Sequence, residues 1–151
     1  MEEAQSRGYA RAVGVSNFDV KELDQVFAVA TSPPVANQIN LNPFSYRKEL
    51  IEENQRLDLV TEAYSPLGTG RHLSNPKVRE IADRSGRSPS QVLIRWGLQH
   101  EFVVLAKSTH RERIAENAGA LGFSLSEAEM AELDGLDAGS HPRSALERKW
   151  W

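Results

Sequence analysis

Lys107, Ser108 and Arg113 bring two cations and a hydroxyl close together within the string Lys107-Ser108-Thr109-His110-Arg111-Glu112-Arg113, after a short apolar run and at the start of a helical pattern. That placement suits a phosphate dianion. The first N–H groups and the dipole of a helix favour negative charge, and Lys107 and Arg113 add two charges that can pair with it. The same residues also read as a solvated basic patch, the usual fate of a short charge run. A position just after a parallel strand tips the reading towards a ligand. Other chemistries are excluded or weak. The chain has no cysteine, so disulfides, thiolate catalysis and cysteine-ligated metals are ruled out. His72, His100, His110 and His141 lack metal-ligand spacing and are expected in surface or capping roles. Asp134 and Asp137 could be taken for a carboxylate pair, but with Glu132 they read better as the solvated end of a helix.

The elements that must position these residues alternate. Residues 10–15 form a first apolar run that ends in Gly14-Val15-Ser16-Asn17, and Val20, Leu23, Val26 and Phe27 then recur at helical spacing. Pro33-Pro34 breaks the chain before a second run at 35–41. A helical pattern through Leu50, Ile51 and Leu57 leads to a third run at 59–64, closed by Ser65-Pro66-Leu67-Gly68. Residues 67–75, rich in Gly, Ser and Thr, read as a loop. Two helices are expected next, one at about 76–84. The other opens at Ser88-Pro89-Ser90-Gln91, where a capping Ser, a Pro at the first helical position and a Gln at the third coincide. Residues 102–106 are the fourth run. Thr109 to Glu112 reads as a capping box, and Ser126 to Glu129 opens the last helix with Leu125 and Met130 as a hydrophobic staple. Strand and helix in about four alternations predict an α/β fold with a parallel sheet and outer helices, whose ligand residues gather at the carboxyl ends of the strands. A small open sheet and half of a barrel fit this pattern equally well.

The strand ends carry a resemblance. Gly14-Val15-Ser16-Asn17-Phe18, Asn37-Gln38-Ile39-Asn40-Leu41-Asn42-Pro43, Ala63-Tyr64-Ser65-Pro66-Leu67-Gly68 and Ala106-Lys107-Ser108 occur in that order. With Arg113-Ile114-Ala115-Glu116-Asn117 and the helix Gln91 to Trp96, they closely resemble the second half of the aldo-keto reductase family. The resemblance implies the C-terminal half of a (β/α)8 TIM barrel over residues 1–137, with a tail at 138–151. It also implies NADP(H) bound without a Rossmann glycine fingerprint, which the sequence lacks. Ser16, Asn17 and Gln38 match positions that hydrogen-bond the nicotinamide carboxamide, a task suited to hydroxyl and amide groups. Helix capping by Ser16 and Asn17, and a satisfied buried amide for Gln38, are the plainer alternatives. Tyr64 matches an aromatic stacked on the nicotinamide, against the alternative of a core tyrosine. Ser65, Leu67 and Thr69 match positions along the pyrophosphate. Lys107, Ser108 and Arg113 fall around the 2′-phosphate and adenosine ribose, with Glu116 and Asn117 against the adenine, which favours NADP(H) over NAD(H). The family's catalytic Asp, Tyr, Lys and His belong to the first half of the barrel, to which no segment here corresponds, so no catalytic residue is assigned.

Length then changes meaning. At 151 residues the chain suits one domain, yet it is well short of the about 250 residues of a complete barrel. Its 40% hydrophobic and 26% charged content argues against disorder, and a net charge of −3 provides no basic field for nucleic acid. No apolar run reaches the length of a membrane span, and the first residues lack a signal-like apolar segment, so a cytoplasmic location is expected. The expected function is the NADP(H)-binding half of an oxidoreductase that reduces aldehydes or ketones, whose small carbonyl substrate needs the missing N-terminal half. Two alternatives stand beside it. One is a catalytically inactive NADP(H)-binding or regulatory module, and the other a truncated half-barrel that self-associates into a homo-oligomer through open sheet edges.

Overall fold

The computed structural model describes residues 1–137 and Gly139. His141, Trp150, Trp151 and the rest of the expected tail lie outside the described residues. Four strands, β1 (Val15–Ser16), β2 (Ala36–Asn40), β3 (Val60–Tyr64) and β4 (Val103–Leu105), form one sheet in the order β1-β2-β3-β4. Every neighbouring pair is parallel. A doubly wound open sheet reverses its strand order at a switch point. The unbroken order here is the one a barrel segment requires.

The period of two along each strand decides which side is covered. Asn37, Ile39, Thr61 and Ala63 are buried, whereas Gln38, Asn40, Glu62 and Tyr64 between them are half-buried. Helices therefore cover one face and leave the other open. On that open face one row runs Ser16, Gln38, Glu62, Val103, and Val60, Val103 and Leu105 are exposed. The covered face packs on Leu23 of α2 (Val20–Phe27), Leu50 and Ile51 of α3 (Lys48–Arg56), Val78 and Ile81 of α4 (Pro76–Ser85), and Leu93 and Trp96 of α5 (Pro89–Gln99).

Local capping explains most helix starts and corrects several expectations. Ser88 with Gln91 and Ser126 with Glu129 form the expected capping boxes, and Leu125 is buried with Met130 packed on the same core. α2 is capped by Asp19, paired reciprocally with Glu22, so Ser16 and Asn17 do not cap it. The helix after β4, α6 (Arg111–Ala118), starts from His110 with no side-chain cap. Ser108 Oγ, not the Thr109 hydroxyl, accepts the His110 N–H at 3.1 Å. The expected loop at 67–75 is largely a 3₁₀ strap, Gly68–Ser74, kinked at Thr69 and Gly70. The run at 10–15 enters the sheet only at Val15, although the Val13 carbonyl already accepts the Val35 N–H at 2.9 Å. A short first helix, Glu2–Ser6, was not expected; its Glu2 carboxylate accepts the N–H groups of Thr31 and Ser32 after α2.

The acidic end of the last helix, α7 (Glu127–Asp134), is not merely solvated. Asp134 Oδ1 accepts Trp96 Nε1–H at 2.7 Å and lies 2.9 Å from His100 Nε2. Asp137 Oδ2 accepts the N–H groups of Tyr46 and Arg47. Glu132 pairs with Arg84 and Lys77. His100 accordingly sits among Tyr46, Trp96 and Phe102 rather than on the surface. These contacts bind α7 to the rest of the domain.

Candidate functional site

Parallel strands deliver their carboxyl ends to one side, and there a groove of about 670 Å³ opens between the Gly68–Ser74 strap and the start of α6. Eight of the twelve expected site residues line it: Ser65, Leu67, Thr69, Lys107, Ser108, Arg113, Glu116 and Asn117. Its volume is that of an ordinary ligand pocket. Neither Lys107 nor Arg113 enters a salt bridge among the described residues, unlike Arg56, Lys77 and Arg84 on the helical surface. Arg113 acts on Glu116 instead. That carboxyl is held below the usual carboxylate range chiefly by the Ser88 hydroxyl, then by Ser90, and further by the Arg113 charge. Ser90 Oγ donates to Glu116 Oε1, and Gln91 Nε2 donates to the Glu116 carbonyl at 2.9 Å. The amino end of α5 thus fixes the wall that α6 presents to the groove. α6 buries none of its own residues, so these contacts are a large part of its anchorage.

The other four residues gather beside the groove at the ends of β1, β2 and β3. Ser16 Oγ and the Asn17 N–H both donate to the Gln38 carbonyl, at 3.0 and 2.9 Å. Tyr64 Oη donates to Asn17 Oδ1 at 3.2 Å, and Asn17 Nδ2 donates to Ser16 Oγ at 3.3 Å. Gln38 Nε2 donates to Glu62 Oε2 at 2.7 Å on the open face. None of the four lines the groove itself. Tyr64 reaches it through the chain, since Ser65 is the next residue. Asn17, Ser65 and Thr69 all adopt left-handed backbone, with φ of 59°, 53° and 57°. Such conformations cost about 1–3 kcal/mol each for ordinary residues and less for Asn, and Arg47, Asp58 and Glu101 adopt them at helix ends away from the groove. Sequence reasoning missed Ser90 and His110, which also line the groove. His110 could have been found from its place between Lys107 and Arg113. Ser90 meets Glu116 across 26 positions and left no local signal.

The strap packs Leu73 on the core, accepts Arg79 Nε–H at the Leu73 carbonyl, and is held further by one ring. His72 stacks on Phe44 with centroids 4.0 Å apart and planes 13° from parallel. Gly68 makes that approach feasible, because a Cβ there would come within 2.1 Å of the imidazole. Burial, and secondarily the Arg71 charge, push the His72 pKa down. The folded protein therefore prefers neutral His72, and its stabilisation is complete above the unfolded imidazole pKa of about 6.5 and is lost as pH falls through the lower folded value. The thermal midpoint of the wild type is expected to fall more steeply below about pH 6.5 than that of His72→Gln. Equal slopes in the two proteins would sink this assignment.

Among the described residues no group of three or more His, Asp or Glu side chains could hold a metal, and no helix is long and apolar enough to cross a membrane.

A barrel-type parallel sheet with a groove at its carboxyl ends defines the class as an α/β half-barrel. The sequence profile described as "Aldo/keto reductase family" matches residues 1–138, and the chain belongs to that family. It is 47% identical over 136 residues to an "Aldo-keto reductase" of Mycolicibacterium vanbaalenii, a match that covers 90% of this chain and 49% of the relative. The aldose reductase from Schistosoma japonicum superposes with a TM-score of 0.89 at 33% identity, over 97% of this chain and 48% of that one. A variant of Gox0644 crystallised in complex with NADPH superposes with a TM-score of 0.90 at 34% identity, over 98% of this chain and 55% of that one. The chain spans about half the length of the curated relatives it matches. Its four strands and outer helices are thus those of a TIM-barrel half.

Proposed function

We propose that this chain is the NADP(H)-holding half of a reductase of aldehydes or ketones. The observation that carries the reading is the groove beside the start of α6, where Lys107 and Arg113 enter no salt bridge among the described residues. On this reading, Lys107 and Arg113 neutralise the 2′-phosphate and the Ser108 hydroxyl hydrogen-bonds it, a charge-assisted arrangement stronger than neutral pairing. Glu116 and Asn117 border the adenine. Ser65 and Leu67 follow the pyrophosphate beneath the strap. Ser16, Asn17 and Gln38 hold the carboxamide, which needs both donors and acceptors. The Tyr64 ring supports one face of the nicotinamide by offset stacking, and its hydroxyl braces Asn17. When bound, the cofactor supplies the hydride that reduces a carbonyl carbon. No residue of these 151 is assigned the proton transfer that completes the reduction; a segment outside the chain would supply it.

Titration of the protein with NADPH, followed by cofactor fluorescence, tests the reading. Saturable binding with a Kd below about 100 μM is expected. Absence of binding at that concentration would remove the proposal.

A further inference from the structure

Beneath the Ser16–Asn17 corner lies a buried chain of amides that the cofactor contacts do not include. Asn37 is fully buried, and its Nδ2 donates to the Phe18 carbonyl at 3.0 Å and to Asn54 Oδ1 at 3.2 Å. Asn54, equally buried, donates in turn to Thr61 Oγ1 at 3.0 Å. The chain therefore runs from β3 through α3 and β2 to the backbone just after Asn17. Two acceptors on one side fix the orientation of the Asn37 amide, since turning it over would set oxygen against oxygen. Its own Oδ1 is then left with no partner among the described residues. A buried unsatisfied acceptor is costly, and a core selected for stability alone would not favour one.

We propose that Asn37 is a positioning residue for the carboxamide end of the site. It holds the Phe18 carbonyl, and Phe18 directly follows the left-handed Asn17. The next residue, Gln38, accepts from both Ser16 and Asn17 through its carbonyl. Asn37 thus grips the corner from both of its ends, by its side chain at Phe18 and by its peptide link to Gln38. Loss of the side-chain grip lets Asn17 leave φ near 59° for cheaper backbone, which carries its amide away from Gln38 and Tyr64. The groove around Lys107 and Arg113 shares none of these hydrogen bonds.

The inference rests on the NADP(H) reading, and a pair of ligands separates the two. 2′,5′-ADP presents the phosphorylated adenosine end alone, whereas NADP⁺ adds the nicotinamide. By calorimetry, Asn37→Ala is expected to weaken NADP⁺ by about tenfold and to leave 2′,5′-ADP within about twofold of the wild type. Thr61→Val, which breaks the far end of the chain but spares the Phe18 bond, is expected to leave both affinities unchanged. If Asn37→Ala does not fold, Asn37→Ser carries the same comparison. Equal weakening of both ligands would reduce Asn37 to a structural residue, and no weakening of NADP⁺, or wild-type NADP⁺ binding no tighter than 2′,5′-ADP, would also overturn the inference. Wild-type protein that binds neither ligand would instead overturn the cofactor reading itself.

Discussion

Arg113→Ala is expected to weaken NADPH binding by about ten- to a hundredfold while NADH binding stays within about twofold. The size follows from what is removed. A hydrogen bond to a charged partner contributes about 1.5–3 kcal/mol, and about 1.4 kcal/mol is tenfold in affinity. Arg113 is exposed, so part of its attraction is screened by salt, and the effect should shrink as ionic strength rises. NADH has no 2′-phosphate and so gives Arg113 nothing to neutralise. Arg111 provides the control. It lies two residues away on the same helix with the same charge, yet it does not line the groove. Arg111→Ala should therefore change neither affinity beyond about twofold. A general field effect would make the two substitutions equivalent, and that result, or an equal loss of NADH and NADPH in Arg113→Ala, would count against a phosphate seat at this point. Loss of Arg113 also removes one influence that keeps Glu116 ionised, but the Ser88 and Ser90 hydroxyls remain the larger ones. The adenine side of the groove should hence survive the substitution.

What could be read in advance depended on how local the physics was. β2 and β3 were legible because apolar runs of strand length end at Asn42-Pro43 and Ser65-Pro66, residues that stop pairing and turn the chain. α5 was legible because its cap, proline and Gln91 all lie within four consecutive positions. The groove was legible for the same reason. Lys107, Ser108 and Arg113 share one loop and one helical turn, and the parallel order brings that loop beside the one at Ser65. Contacts between distant segments were not. Asp134 and Asp137 look like a solvated helix end until Trp96, His100, Tyr46 and Arg47 arrive from 34 to 91 residues away. Ser16 and Asn17 have the side chains of helix caps, but Asp19 takes that role with Glu22 three residues on, a local signal that the pattern of Ser16 and Asn17 obscured, and leaves them to the strand end. Asn37 reads as half of an Asn-Gln pair in a strand. The period of two then sends Gln38 to the open face and Asn37 into the core, so neighbouring amides acquire unrelated tasks.

The largest expected loss of stability follows from Trp96→Ala, at about 3–5 kcal/mol. Trp96 is 1% exposed and meets Tyr46, His100 and Phe102 edge-on, at centroid distances of 5.2, 4.9 and 5.9 Å. Truncation opens a cavity where α5, the start of β4 and the chain before α3 converge. It also removes the indole N–H that holds Asp134, and with it one of the ties of α7 to the core. The environment is already poor in solvent: burial, and secondarily the Asp134 charge, raise the Tyr46 hydroxyl to about 12. Trp96→Phe separates packing from hydrogen bonding. It keeps most of the ring volume and leaves Asp134 with His100, so a loss of about 1–2 kcal/mol is expected. Urea unfolding of the three proteins measures both differences. Against a total stability of about 5–15 kcal/mol for a typical domain, a loss of about 3–5 kcal/mol is at least about a fifth of the margin. The site is linked to this anchor through α5, whose amino end fixes Glu116 by Ser90 and Gln91. Saturating NADPH should then restore part of the lost stability, because a ligand that binds only folded protein stabilises it. An alanine variant within about 1 kcal/mol of the wild type would show that Trp96 is not the anchor of this face.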